Sequence, residues 1–293
     1  MGKVDAEIKK PHRQLVLIKG AGDLATGVAH RLYRAGFKVV MTEQETPTVI
    51  RRPVSFAGAV FEGEAEVEGV RARRVTWNVP GSEVVIEKQK EKEVINYIFT
   101  LIARGLVPVV IDPLLQLIPY LKPDVFVEAT LSKKNTGVSP GLAPLVIALG
   151  PGYHAGRDVH VVVETRRGHD LGRVIYSGEA IANDGMPGSV AGYSTERLLR
   201  APGAGRFKSE VKIGDPVRAG QVVGFAGDEV VKAEIGGVVR GLIQEGLIVR
   251  PGMKIGDIDP RARREYCFTI SDKARSVGGG VLEATLALSN LDA

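Results

Sequence analysis

Gly20, Gly22 and Ala25 stand in G-x-G-x-x-A spacing directly after the apolar run 15–18. Glycines at the first two positions let backbone N–H groups close on a phosphate, and a small third residue lets the following helix pack on the strand. A helix opening here adds the partial positive charge of its N-terminus. The loop reads as an anion cradle whose cofactor-binding residues are Gly20, Gly22, Asp23, Leu24 and Ala25. Glu43 ends the next apolar run, 23 positions after Gly20, near the distance at which a carboxylate takes ribose hydroxyls. Asp23 opposes the cradle, because a carboxylate inside it repels a pyrophosphate unless it faces away or meets a cation.

Two more polar clusters follow apolar runs. Lys133, Lys134 and Asn135 lie in a loop after the run 125–127, and Arg166, Arg167 and His169 lie after the run 160–163. Ligands of open α/β sheets gather at the carboxyl ends of strands, so both loops are candidate anion sites; a solvated polar loop is the alternative for the first. Two arginines make a fork for phosphate or carboxylate. His169 beside Asp170 has proton-transfer chemistry, although sequence neighbours do not face each other. Arg51 and Arg52 are placed for either the ribose side of a nucleotide or the surface. His160, in an apolar run, reads as a satisfied core histidine and Cys267 as a buried thiol. No pair of histidines or cysteine has zinc spacing, so no metal site is expected. No G-x-S-x-G elbow, Walker A lysine or kinase motif set is present, so catalytic residues stay unassigned and an enzyme is left open.

Such loops need strands and helices behind them. Apolar runs at 15–18, 39–41, 107–111, 125–127, 145–149 and 160–163 alternate with helical patterns, the clearest over 88–103. This predicts an α/β fold with a Rossmann-like, mostly parallel sheet over 1–200. Residues 62–76 read as an inserted hairpin turning at Glu68-Gly69, and Pro113 and Pro119 as brackets of a short helix. After a linker at 201–205, a β unit over 201–262 carries a repeat: Gly214–Gly224 matches Gly246–Gly256 as G-x-x-V-R-x-G-x-x-[VI]-G at an offset of 32. Two copies suit a pseudo-symmetric sandwich that resembles the barrel-sandwich hybrid of biotinyl and lipoyl carriers. The swinging lysine of those carriers is missing from the turn at 227–229; Lys232 lies in the adjoining strand. Residues 263–293 form a C-terminal segment whose helix, over 273–291 with Gly278-Gly279-Gly280 at or before its start, returns to the α/β unit.

The chain has 293 residues, 44% of them hydrophobic, and a single cysteine, which rules out an intramolecular disulfide. It has no apolar run of membrane-spanning length and no apolar signal core at its start, so a cytoplasmic protein without a membrane partner is expected. A net charge of +5 is dispersed, and aromatics are 5%, which argues against a stacking platform for nucleic acid. A basic pocket for a small phosphorylated ligand needs fewer charges.

Three segments together resemble the YqeB family: residues 20–32, 164–173 and 255–261. The family comprises accessory proteins associated with selenium-dependent molybdenum hydroxylases. More distantly, the first segment is similar to the Rossmann domain of XdhC-type proteins, which help to load the molybdenum cofactor. The resemblance implies a role in maturing such a hydroxylase, with the hydroxylase as a partner and a molybdopterin-type cofactor as a candidate ligand; it supplies no catalytic residues. The alternatives are an NAD(P)-dependent oxidoreductase with Glu43 on the adenosine ribose, and a non-catalytic interaction scaffold.

Overall fold

A computed structural model describes residues 14–76 and 88–288. The N-terminal segment discussed above and residues 289–291 of the expected C-terminal helix lie outside the described residues. The apolar runs become strands. β1 (Leu15–Lys19) leads through α1 (Asp23–Arg34) to β2 (Lys38–Glu43). Then come α2 (Gly58–Glu62), β3 (Glu64–Val67), β4 (Val70–Thr76), α3 (Lys88–Ala103), β5 (Val107–Ile111), α4 (Ile118–Leu121), β6 (Val125–Glu128) and β7 (Leu145–Leu149). β9 (Val161–Val163) and β10 (Val174–Ile175) follow, bracketed by a ribbon of β8 (His154–Ala155) and β11 (Gly178–Glu179).

The main sheet has the order β10-β9-β7-β6-β1-β2-β5-β4-β3. It is parallel from β9 to β4 and antiparallel only at its edges. With the hairpin strands set aside, the six parallel strands lie in the order 3-2-1-4-5-6 along the chain. The direction of travel reverses between β1 and β6, where a crevice opens at the carboxyl ends. Both faces of the sheet are covered, so its strands are continuously apolar. α1, α2 and α5 (Asp272–Leu288) pack on one face, α3 and α4 on the other.

Local chemistry explains where expectation and structure part. The hairpin turns at Glu68 (φ 46°) and Gly69 (φ 77°), as its sequence predicts. The helix expected between Pro113 and Pro119 is only Ile118–Leu121. Asp112 takes the amides of Gln116 and Leu117 at 3.0 and 2.9 Å, and Leu115 turns left-handed at φ 58°. The glycine triplet lies in the middle of α5 rather than before it. A Cβ on Gly278 would lie 2.9 Å from the Gly27 oxygen, and one on Gly280 only 2.2 Å from the Gly172 oxygen. Close packing on α1 and on the turn before β10 outweighs a helix penalty of about 1 kcal/mol per glycine.

The remaining strands form two antiparallel half-barrel sheets. They are β12 (Leu198–Arg200), β13 (Gly205–Ser209), β14 (Pro216–Val217), β15 (Val222–Ala226), β16 (Glu229–Lys232), β17 (Gly237–Leu242), β18 (Ile248–Val249) and β19 (Lys254–Asp259). Their orders are β12-β19-β17-β14 and β16-β15-β13-β18. The offset of 32 carries β13, β14 and β15 onto β17, β18 and β19. Each sheet therefore takes its short edge strand, β14 or β18, from the opposite copy. Phe207, Val223, Val239 and Ile255 fill the space between them.

The loop after β2 joins the two parts. Leu242 N donates to Ile50 O at 2.8 Å, and Arg52 reaches Leu242 O at 2.9 Å and the Gln244 side chain at 2.7 Å. Gly241 permits this approach, since a Cβ there would sit 2.9 Å from Ile50 O. Arg52 is thus a bridge between the units, and Arg51 beside it is buried rather than a surface residue. Among the described residues, no helix is long and apolar enough to cross a membrane.

Candidate functional site

A cavity of about 420 Å³ opens at the carboxyl ends of β1, β2 and β6. Gly20 sets its floor at φ +96°, with its N–H on Thr42 O at 2.8 Å. α1 starts from Gly22, which has no side chain to cap it. Thr26 N is the first amide to find a carbonyl, Gly22 O at 2.8 Å; the amides of Gly22, Asp23, Leu24 and Ala25 have no acceptor among the described residues. These four are the orphan donors of a helix start, and their residues line the cavity. Glu43 also lines it, but its carboxylate serves the loop first: Oε2 accepts Ala21 N and Oε1 accepts Gln44 N, both at 2.8 Å. Burial pushes the Glu43 carboxyl above its usual range, and the two amides only partly offset this. Asp23 meets a cation, with Arg51 at 3.8 Å.

Glu43 is one of a series. Glu128 at the end of β6 takes Thr130 N and Oγ1 at 2.9 and 2.5 Å, the Thr136 hydroxyl at 3.1 Å and Lys19 Nζ at 3.1 Å. Glu164 after β9 takes the amides of Thr165, Arg166 and Ile181 at 2.7, 2.6 and 2.8 Å. With Asp112 after β5, four strand ends carry a carboxylate that fixes the following loop. The sequence signal was an acid at the close of four of the six apolar runs; only Glu43 was read as functional.

A second cavity, of about 650 Å³, continues from the first through Asp23, Leu24 and Leu131. Eight basic side chains and two carboxylates line it. Arg51 comes from the loop after β2, Lys133 from the loop after β6, Arg166 and Arg167 from the loop after β9, Arg197, Arg240 and Lys254 from the antiparallel sheets or their approach, and Lys273 from α5. Arg166 pairs with Asp184 at 3.0 Å, Arg167 grips Asp272 with two bonds of 2.6 and 3.0 Å, and Arg197 pairs closely with Asp257. Among the described residues the side chains of Lys133, Lys254 and Lys273 make no ion pair or hydrogen bond. Desolvation lowers the pKa of Lys254 and Lys273, and Arg197 and Arg167 respectively add to it. Lys254 lines the cavity and keeps solvent contact at its rim. Burial, then the nearby Arg240, lowers that of Arg51 in the same way.

The structure sorts the expected site residues. Gly20, Gly22, Asp23, Leu24, Ala25 and Glu43 line the first cavity; Lys133, Arg166 and Arg167 line the second. Lys134, Asn135 and His169 line neither. Asn135 is spent on its own turn, its Oδ1 accepting Gly137 N and Val138 N at 2.9 and 2.8 Å. The turn carrying His169 folds back, with Gly172 N on Glu164 O at 2.9 Å, and leaves the imidazole exposed. His160 Nδ1 accepts Val146 N at 2.9 Å, and the buried Cys267 thiol donates to Val239 O at 3.6 Å. Among the described residues no group of three or more His, Cys, Asp or Glu is placed to hold a metal ion. Sequence reasoning missed Arg197, Arg240, Lys254 and Lys273. A cation inside the apolar run 238–243 was the available signal for Arg240.

With this geometry in hand, the chain is 51% identical over 275 residues to the Escherichia coli (strain K12) protein described as "Uncharacterized protein YqeB". The chain is similar to one half of YqeB. The match takes in 94% of the chain and 48% of the YqeB sequence, so the chain spans about half the length of its relative. This supports the resemblance to the YqeB family. No protein-family model matches. Among solved structures, an aspartoacylase family protein from Mesorhizobium loti covers 87% of the chain and 88% of its own at 11% identity and a TM-score of 0.27. The ectoine utilization protein EutE (DoeB) from Ruegeria pomeroyi covers 84% and 85% at 10% identity and a TM-score of 0.24. Likeness to YqeB rests on sequence over nearly the whole chain; the structural likenesses, at these scores, carry no functional argument.

Proposed function

We propose that the protein binds a phosphorylated, nucleotide-like ligand across the two cavities and acts in the cytoplasm as an accessory factor that matures a selenium-dependent molybdenum hydroxylase. The observation that carries the binding is the continuous crevice at the reversal between β1 and β6, with unsatisfied amides of α1 at one end and eight cations beyond. The strand order 3-2-1-4-5-6 is that of a Rossmann sheet, whose phosphate site lies at this place. Arg51, 3.8 Å from Asp23, offsets part of the repulsion that this carboxylate exerts on an anion there. The strand exchange between the repeat copies supports the likeness to a barrel-sandwich hybrid, here used as a wall of the site rather than as a carrier. The role in hydroxylase maturation comes from the YqeB-family resemblance.

The residues fit a phosphate-bearing group. Gly22, Asp23, Leu24 and Ala25 would hold its phosphate by their amides, and the basin would take further negative charge. A molybdopterin-type cofactor would supply the metal-binding dithiolene destined for the hydroxylase; this chain's part would be to bind, orient and shield it. Glu43 at the end of β2 favours a second reading, an NAD(P)-dependent oxidoreductase with that carboxylate on a ribose.

Mass spectrometry of small molecules released from the purified protein, with calorimetric titration of a nucleotide panel, NAD(P)H and molybdopterin, tests the proposal. Recovery or tight binding of a phosphorylated pterin or nucleotide, together with capture of the hydroxylase, is the expected result. Hydride turnover with NAD(P)H moves the reading to the oxidoreductase. Absence of any ligand sinks both and leaves an interaction scaffold.

A further inference from the structure

The basin holds two guanidinium groups from opposite units that the protein leaves short of anions. Arg51 is 7% exposed and Arg240 is 8% exposed. Arg51 donates to the carbonyls of Tyr266 and Thr269 at 2.8 and 3.3 Å and lies 3.8 Å from Asp23, while its Nε is buried with no acceptor. Arg240 is worse served. Its Nε is buried without an acceptor, and neither Nη atom has a hydrogen bond among the described residues. The carboxylate nearest to it, Asp259 at 3.7 Å, is already gripped by Arg261 at 2.9 and 2.6 Å. Each guanidinium thus has one long carboxylate contact, a buried Nε without an acceptor and donor capacity left over, and a buried donor without an acceptor is costly.

The repeat shows that Arg240 was placed. In the first copy Phe207, Lys208 and Ser209 of β13 pair in step with Ala226, Phe225 and Gly224 of β15. Thirty-two residues on, Val239 pairs with Ile258 as expected, but Gly241, not Arg240, pairs with Asp257. The extra residue is a β-bulge at Arg240. Bulges re-aim side chains and gather next to sites. Lys208, the counterpart in the unbulged copy, points to solvent and is exposed. The symmetry is broken on the copy that docks against Ile50 and Arg51.

We infer that Arg51 and Arg240 form the floor of a subsite for a phosphate dianion, so that the ligand carries a terminal phosphate or phosphomonoester besides the group on the glycine loop. The second clause rests on the reading given under Proposed function; the subsite itself does not. Two guanidiniums match the double charge of a phosphate monoester and offer forked donors to its oxygens. Lys254 and Lys273 flank the floor, and Asp23 and Asp184 are the carboxylates that a phosphate must avoid.

Thermal unfolding with inorganic phosphate, against sodium chloride at matched ionic strength, tests this on the wild-type chain, Arg240→Met and Arg240→Lys. Phosphate raises the wild-type midpoint. Arg240→Met loses the forked donor, and its apparent phosphate affinity falls about tenfold or more. Arg240→Lys, which keeps the charge and loses the fork, falls between. Equal phosphate stabilisation of wild type and Arg240→Met, or none beyond chloride in the wild type, overturns the subsite. Nucleotide binding without any phosphate effect sinks the subsite and spares the glycine-loop reading; phosphate stabilisation through Arg240 in a protein that takes no nucleotide does the reverse.

Discussion

The glycine-loop cavity and the junction basin lie side by side and are built on opposite terms. At the first, the carboxylates are engaged: Glu43 and Glu128 each accept amides or hydroxyls of their own loops, and the free donors are backbone N–H groups. At the second, cations outnumber carboxylates and several lack partners. One site offers main-chain donors, held in place by carboxylates that bond their own loops. The other is shaped by charge brought from segments far apart in sequence. A ligand spanning both would be positioned by the first and selected by the second.

Variants should separate the two. Gly20→Val has the largest expected effect, because a β-branched residue at φ +96° is strained. We expect a loss of about 3 kcal/mol in urea unfolding, and loss of nucleotide binding in whatever fraction stays folded. Lys254→Gln with Lys273→Gln removes two desolvated cations from the basin. Phosphorylated-ligand affinity should fall about tenfold in low salt, with a shallower salt dependence and no loss of midpoint; an unchanged affinity would mean the basin does not touch the ligand.

Acid titration sharpens the contrast by its sign. Glu43 folds with its pKa raised above 4.5, so folded protein binds that proton more tightly and stability falls as pH rises through the range just above 4.5. Glu43→Gln should flatten that fall in urea midpoints measured between pH 4 and pH 7, spans chosen as roughly bracketing the shift. Asp272 at the basin wall behaves oppositely. Its bonds from Arg167 hold it at about 2, below 3.8, so its contribution is present above 3.8 and drains away as pH falls toward 2. Because Asp272 is mostly exposed, Asp272→Asn should change stability by under about 1 kcal/mol at neutral pH.

Much of this was legible in the chain. Apolar runs named the six central parallel strands of the main sheet, the glycine spacing named the crossing after β1, and the offset of 32 named a β unit of two similar halves, though not the exchange of edge strands between its sheets. These are local signals, carried by periodicity and by glycines at φ values other residues avoid, such as Gly20 at +96°. The site was half legible for the same reason. Main-chain donors at a strand-to-helix turn follow from a dozen consecutive residues, whereas His169 and Asn135 looked equally apt and are turned to solvent and to their own turn.

The sequence by itself determined the central strands of the main sheet, where the backbone must bend beyond the reach of ordinary residues, and which loop exposes a helix start. Tertiary structure alone decided that Arg51, Arg240, Lys254 and Lys273 share one basin, that three glycines stand inside α5, and that Arg52 bridges two units. Those outcomes depend on contacts between residues far apart in the chain, as in the Arg52–Leu242 bond, which spans 190 positions, and the packing of Gly278 on Gly27. No local pattern encodes such contacts, because burial and electrostatics act through space while periodicity acts only along the chain.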